Sequence, residues 1–286
     1  MAIMPRHQWD RCFRALLWLV MGSLVLLLGG ILAFLVVRGA GVLSWSFLTE
    51  FPRNSMTEGG VLTPLVGSLE LILVSMAFAF PMGVATAVYL VEYARDDLFT
   101  RFLQLAIRSL AGVPSVVFGL FGLSFFVVFL RLGSSLLSAG LTLGCLALPI
   151  MVGAAESALR AVPQDYRDAS YAMGATRWQT IYKVVLPAAL PSILTGAILS
   201  VGRVAGETAP IIFTGAAFFT PRLATSVFQE VMALPYHILV LATAGTEIEK
   251  TRPIQYGSVL VLLMLVLGTT FLGILWRARL RMRHQR

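Results

Sequence analysis

The chain has 286 residues, of which 58% are hydrophobic and 13% charged, with a mean hydropathy of +0.84. A soluble domain is nearer half apolar and a quarter charged, so this composition cannot cover a water-facing surface of that size, and lipid must supply much of the solvent. The net charge of +8 does not point to nucleic acid: the basic residues sit between apolar blocks, and no domain clusters Lys and Arg with interleaved aromatics.

Arg6, Arg11 and Arg14 precede the first apolar run, 16–37, which Arg38 closes. That run exceeds the ~7–15 residues of a signal-peptide core and lacks a small-x-small cleavage site, so the expectation is a retained anchor. Further runs of the roughly 20 residues a spanning helix needs occupy 65–91, 109–130, 136–155, 189–213 and 256–276. Glu70 alone interrupts the second, about a turn from its end, where it can reach the interface. The fifth contains Arg203 and Glu207. A weaker stretch, 227–244, carries Glu230, Pro235 and His237 and reads as an interfacial or loop helix rather than a seventh span. His7, His237 and His284 read as ordinary interface or loop residues. Cys12 and Cys145 fit no metal-ligand spacing and would lie at different membrane depths, against both a zinc site and a disulfide.

With both termini inside, 15 of the 22 Lys and Arg fall in inside segments and six in outside loops, Arg203 being within the bilayer. Every inside segment carries part of the bias, which sets the orientation. The fold class expected is therefore an all-α integral membrane protein of six transmembrane helices with both termini cytoplasmic. Its basic tail, 277–286, acts as a topological anchor, with anionic-lipid recognition as a second reading. Pro81, Pro114, Pro149, Pro187, Pro191 and Pro210 lie in or at the ends of spans, where membrane bundles tolerate them.

The most polar connection between two spans is Glu156–Pro191, which this orientation places in the cytosol. Two helix-forming stretches flank Gly174, which permits a sharp turn or close backbone approach. Asp168-Ala169-Ser170, three residues, Gly174, nine residues and Val184-Val185-Leu186-Pro187 follow in register. This spacing resembles the cytoplasmic EAA-x3-G-x9-I-x-L-P motif of ABC importer permeases, with Asp for Glu, Ser for Ala and Val for Ile. The resemblance implies a type I ABC importer permease bundle in which Asp168, Ala169, Ser170, Gly174, Leu186 and Pro187 dock into an ATP-binding subunit. A P-loop needs G-x4-G-K-[ST], and neither Lys183 nor Lys250 completes one. The chain is thus expected not to be an enzyme, to bind no cofactor, and to leave ATP and magnesium to a partner.

An Arg at the centre of a membrane helix costs about 2.5–3.5 kcal/mol on insertion scales, so Arg203 calls for an explanation. Four residues on, Glu207 would share its helix face and can pair with it. One reading is a buried pair that only locks the bundle. The other is a polar pathway for an anion, because planar guanidinium donors suit phosphate or carboxylate. Measured from Pro187 along an unbroken helix at about 1.5 Å per residue, Arg203 would sit roughly 24 Å up, in the outer half of the bilayer.

Gly202-Arg203-Val204-Ala205-Gly206-Glu207-Thr208-Ala209-Pro210 resembles the RAxGETAP segment of PstA-type phosphate permeases, and Ala111 to Leu123 is similar to that family's third-helix segment. Tyr89-Leu90-Val91-Glu92-Tyr93-Ala94 and Ala158-Leu159-Arg160-Ala161-Val162-Pro163 look like it too. Glu70 departs from the pattern, where an apolar or hydroxyl residue is expected. The likeness implies three parts: residues 1–63 with one helix and an outer loop, a permease core over 64–276 containing the docking loop 156–187, and the tail 277–286. It also implies Arg203, Glu207 and Thr208 in a phosphate pathway of the bacterial inner membrane. The implied partners are a PstC-type permease, two copies of an ATP-binding subunit and an external phosphate-binding protein. A permease for sulfate or molybdate would keep the docking loop and lose the Arg203–Pro210 pattern. A gradient-driven transporter or channel should show repeated halves with interrupted helices, and no internal repeat is evident.

Overall fold

A computed structural model of the chain describes residues 6–244 and 248–284. The side chains of His7, Cys12, Arg281, Arg283 and His284, and all of Arg286, lie outside that set. Helix α1 (Arg6–Gly39) carries the first apolar run, almost wholly exposed. Its last turns meet the bundle, Gly39 against the Tyr256 backbone and Phe34 edge-on to the Tyr256 ring at 5.7 Å. A short helix α2 (Trp45–Thr49), capped by Ser44, and the two-residue strands β1 (Pro52–Arg53) and β2 (Glu58–Gly59) close that end.

Helix α3 (Leu62–Val88) runs on through a π-helical turn, Tyr89–Tyr93. It starts earlier than the apolar run suggests, so Glu70 sits about two turns inside it, half-buried, rather than one turn from its end. Asp97 then caps α4 (Leu98–Leu110): its carboxylate accepts from the Thr100 N–H at 2.8 Å, which holds it below the usual carboxylate range. Pro114 opens α5 (Ser115–Gly122), prolonged in π-helical form to Phe129 and bent by 104° from α4. The expected third span, 109–130, is corrected accordingly. Its first residues finish α4, and the helix after the bend covers only about 22 Å against a ~30 Å hydrocarbon core. The bend falls where Val113, preceding proline, is steered out of helical geometry.

Helix α6 (Leu136–Arg160) is followed by α7 (Gln164–Ala172) and α8 (Arg177–Thr180), a π-helical turn Ile181–Val185, and α9 (Leu186–Gly206). From Arg177 to Gly206 these form one helical run. Next come α10 (Ala209–Thr214), α11 (Leu234–Thr243) and α12 (Ile248–His284). Among the described residues, five runs are long and apolar enough to cross a membrane: Phe13–Val42, Leu62–Tyr93, Leu136–Arg160, Arg177–Gly206 and Ile248–Arg279. The bent α4–α5 pair makes a sixth when counted as one span.

The core lies where α3, α6 and α9 pack together around Leu71, Ala79, Leu143, Met151 and Ile193. Small residues set the approach: Gly83 faces Met151, Gly140 faces Val74 and Gly144 faces Phe78. Lipid provides no hydrophobic drive between helices, so such close van der Waals contact does much of the holding. At one end Arg277 of α12 donates to the Thr195 hydroxyl of α9 at 3.0 Å. At the other, residues 215–233 fold back over α6, with Leu136 and Leu137 N–H donating to the Gln229 and Val227 carbonyls at 2.7 and 2.9 Å. Helix α11, about 15 Å long, is too short to cross and is pinned to α3 where Leu234 N–H donates to Ser68 Oγ at 2.8 Å. His237 within it is buried with no hydrogen-bond partner on either ring nitrogen, which corrects its reading as an interface or loop residue.

Gly144→Leu drives a side chain into Phe78 and the Ser75 carbonyl. It should destabilise the α3–α6 contact by about 1–3 kcal/mol or more, read as a lower thermal midpoint in detergent, whereas Gly153→Ala, at an open position, should leave the midpoint nearly unchanged.

Candidate functional site

The docking segment is a helix–turn–helix hung between α6 and α9. Helix α7 begins after Pro163, with Asp165 in its first turn, where the helix dipole favours a negative charge. Gly174 adopts φ +81°, a left-handed conformation that glycine accepts without strain, and reverses the chain. Thr176 then caps α8: its hydroxyl accepts from Gln179 N–H at 3.3 Å, and the Gln179 side chain accepts from Thr176 N–H at 2.9 Å. Asp168 is exposed and accepts from Gln164 at 3.1 Å. Ala169 is exposed beside it, and Ser170 Oγ meets Thr180 Oγ1 at 2.9 Å, clipping α7 to α8. Leu186 and Pro187 are half-buried at the head of α9 inside the continuous helix. The connection between helical spans is therefore 161–176, shorter than the expected 156–187.

Exposed apolar side chains crowd this segment, including Tyr166, Met173 at 89% exposure, Trp178 and Tyr182. Trp178 and Tyr182 stack with centroids 6.4 Å apart. Beside them opens a cleft of about 690 Å³ lined by Glu92, Arg160, Gln164, Arg167, Tyr171 and Arg177. So large an apolar surface beside so polar a cleft is what a partner protein would cover.

Two residues here escape a reading of the sequence alone. Arg167 of α7 is buried, and its guanidinium donates to Glu92 Oε1 through Nη2 at 2.7 Å and Nε at 3.2 Å. It also donates to the Val162 and Leu159 carbonyls at 2.9 and 3.1 Å, covering the C-terminal end of α6. Arg177 lies over the Tyr93 ring, 4.9 Å from its centroid. Glu92 and Arg167 are 75 positions apart in the chain, and the only prior signal was that both sat in segments placed on one side of the membrane.

The charged pair lies at the far end of α9, on the same rod as the docking segment. Pro191 does not break that rod, so the unbroken path from Pro187 to Arg203 holds. The shared helix face does not. The helix stops at Gly206, and Glu207 is extended (φ −77°, ψ 131°), yet Arg203 Nε still reaches Glu207 Oε1 at 3.5 Å. Arg203 is 40% exposed and Glu207 18%, so the pair is a surface feature of this chain and not a lock buried within it. Thr208 is half-buried before α10, and its side chain caps nothing there. The cavity beside Glu207, shared with Ser68 and Pro235, measures about 10 Å³, at or below what one water needs. A conduit past Arg203 would need a second wall from another chain.

Residues 79–283 match the binding-protein-dependent transport system inner membrane component family. The chain belongs to that family. As a member it is a permease of the bacterial inner membrane. It is 34% identical over 276 residues to a probable ABC transporter permease protein, YqgI, of Bacillus subtilis, covering 92% of this chain and 93% of that relative. It is 36% identical over 253 residues to the phosphate transport system permease protein PstA of Mycobacterium leprae, covering 86% and 81%. Among solved structures, the inward-facing MetNI methionine ABC transporter superposes with a TM-score of 0.63 at 20% identity, over 77% of this permease and 95% of that chain. A bacterial ABC transporter for the acidic polysaccharide alginate gives 0.62 at 15% identity, over 93% and 96%.

Because nothing crowds Gly174, substitutions there act through backbone conformation alone, at about 1–2 kcal/mol for a residue that resists φ > 0. Gly174→Val should speed amide exchange across 164–180 by roughly tenfold, while Gly174→Asn, which tolerates this conformation, should stay near the parent rate.

Proposed function

We propose that this permease is one of two membrane subunits of an ATP-driven importer of inorganic phosphate, contributing half of the pathway. The observation that carries the reading is the single helical run Arg177–Gly206, which joins a surface suited to docking to an arginine exposed about 24 Å beyond Pro187 along the helix. Likeness to PstA-type permeases supplies the substrate, and guanidinium chemistry agrees with it.

The partners are a PstC-type permease, which provides the second wall, two ATP-binding subunits on the cytoplasmic face and a phosphate-binding protein outside. Both termini are cytoplasmic, as the excess of Lys and Arg on that side requires. This chain binds no cofactor, and ATP with magnesium is held by the partner. Closure of the ATP-binding subunits displaces the surface around Asp168, Ala169, Ser170 and Gly174. Leu186 and Pro187, lying within the rod, pass that displacement along α9 and turn the bundle outward. Phosphate then passes Arg203 and Thr208. Glu207 neutralises Arg203 in the empty pathway and is displaced transiently. Its nearness also keeps phosphate weakly held, as a conduit requires.

With the complete complex in liposomes, phosphate-loaded binding protein should stimulate ATP hydrolysis and drive uptake, and sulfate or molybdate should do neither. Arg203→Gln should assemble normally and cut uptake at least tenfold. Normal uptake by that variant would remove Arg203 from the pathway, and stimulation by sulfate or molybdate in place of phosphate would reassign the substrate.

A further inference from the structure

Covalent connections tie the docking segment to α6 and α9 only. Helix α3, which packs against both, reaches that segment through side chains alone, at the π-helical end Tyr89–Tyr93. There Glu92 receives both Nε and Nη2 of Arg167, and Tyr93 lies under Arg177. One contact goes to α7 and the other to α8, so the end of α3 is held on both sides of the Gly174 turn.

We propose that Arg167 and Glu92 are positioning residues for coupling, a strut through which movement of the docking segment is transmitted to α3 as well as to α9. The chemistry suits a strut better than a surface ion pair. Both side chains are buried, 9% and 6% exposed, so solvent and salt screen the contact much less than they would a surface pair. The guanidinium is shared between one carboxylate and two main-chain carbonyls at the end of α6, which fixes its orientation as a planar fork. Displacing α7 therefore displaces the carboxylate, and α3 with it. Without this link, the docking segment and α9 would move while α3 stayed behind, and ATP would be spent on an incomplete movement of the bundle.

The inference rests on the importer reading, and its test uses the assembled complex. Glu92→Gln and Arg167→Lys are compared with the parent chain and with the exchanged pair Glu92→Arg/Arg167→Glu. Three quantities are read: the amount of complex assembled, ATP hydrolysed, and phosphate taken up. The expected result is assembly within twofold of the parent, retained ATP hydrolysis and at least a tenfold fall in phosphate moved per ATP in both single variants, with little recovery in the exchanged pair, which turns a carboxylate toward the Leu159 and Val162 carbonyls. An unchanged ratio overturns the proposal, and so does loss of assembly, hydrolysis and uptake in step, which is the signature of a merely structural contact.

A second readout does not depend on the substrate. Spin labels at Leu73 of α3 and Phe129 after α5, both exposed, are placed in a chain whose Cys12 and Cys145 are Ser. The label separation should change with ATP in the parent complex and remain fixed in Glu92→Gln. An ATP-dependent change that survives in Glu92→Gln, or that is absent from the parent, overturns the strut. If the parent shows the change yet takes up no phosphate, the substrate assignment falls and the strut stands.

Discussion

Lipid offers no hydrogen bonds, so every interruption of a helix in this chain has to be satisfied from within the protein. That constraint sorts the prolines. Pro81, Pro149 and Pro191 lie inside α3, α6 and α9, which continue through them, and Thr195 Oγ1 donates to the carbonyl of Pro191 at 3.3 Å. The places where the helix path does change include the 104° bend between α4 and α5, the turn from α6 into α7, and Glu207. At the second of these Arg167 covers carbonyls at the end of α6. The third holds the charged pair. At the turn into α7 the buried guanidinium thus meets backbone carbonyls that would otherwise need a partner.

The rod from Arg177 to Gly206 organises the rest. Its head is capped by Thr176 and clipped to α7 through Ser170 and Thr180, its middle packs on α6 with Gly196 against Ala154, and its tail presents Arg203. A rod so supported has the continuity that the proposed function asks of an element joining an ATP-driven partner to a substrate path. The two ends differ in chemistry: an exposed apolar surface at one, exposed charge at the other, and a core of small and aliphatic residues between them.

Much of this was legible in the sequence. Apolar runs of spanning length located the long helices, and the Asp168–Gly174–Pro187 spacing located the turn, because Gly174 occupies a φ that most residues avoid. What the sequence hid was direction and distance. Hydropathy summed over 109–130 could not see that the chain turns by 104° ahead of Pro114, because such a sum carries no direction. An assumption of continuous helix put Arg203 and Glu207 on one face, whereas an extended Glu207 reaches back to its partner. The Arg167–Glu92 contact spans 75 positions and has no local periodicity to betray it. His237 read as an interface or loop residue because its stretch is weakly apolar and carries Glu230 and Pro235, yet α11 packs against α12 and α3 and His237 is buried.

The central claim is that the end bearing α7 and α8 is where an ATP-binding subunit seats. A photocrosslinking residue at Met173, exposed on that surface, tests it most directly in the assembled, transport-active complex, with Leu28 on the exposed apolar face of α1 as the control position. The account predicts that Met173 captures the ATP-binding subunit while Leu28 does not. Capture of that subunit from Leu28 and not from Met173, in a complex that still transports, would contradict it.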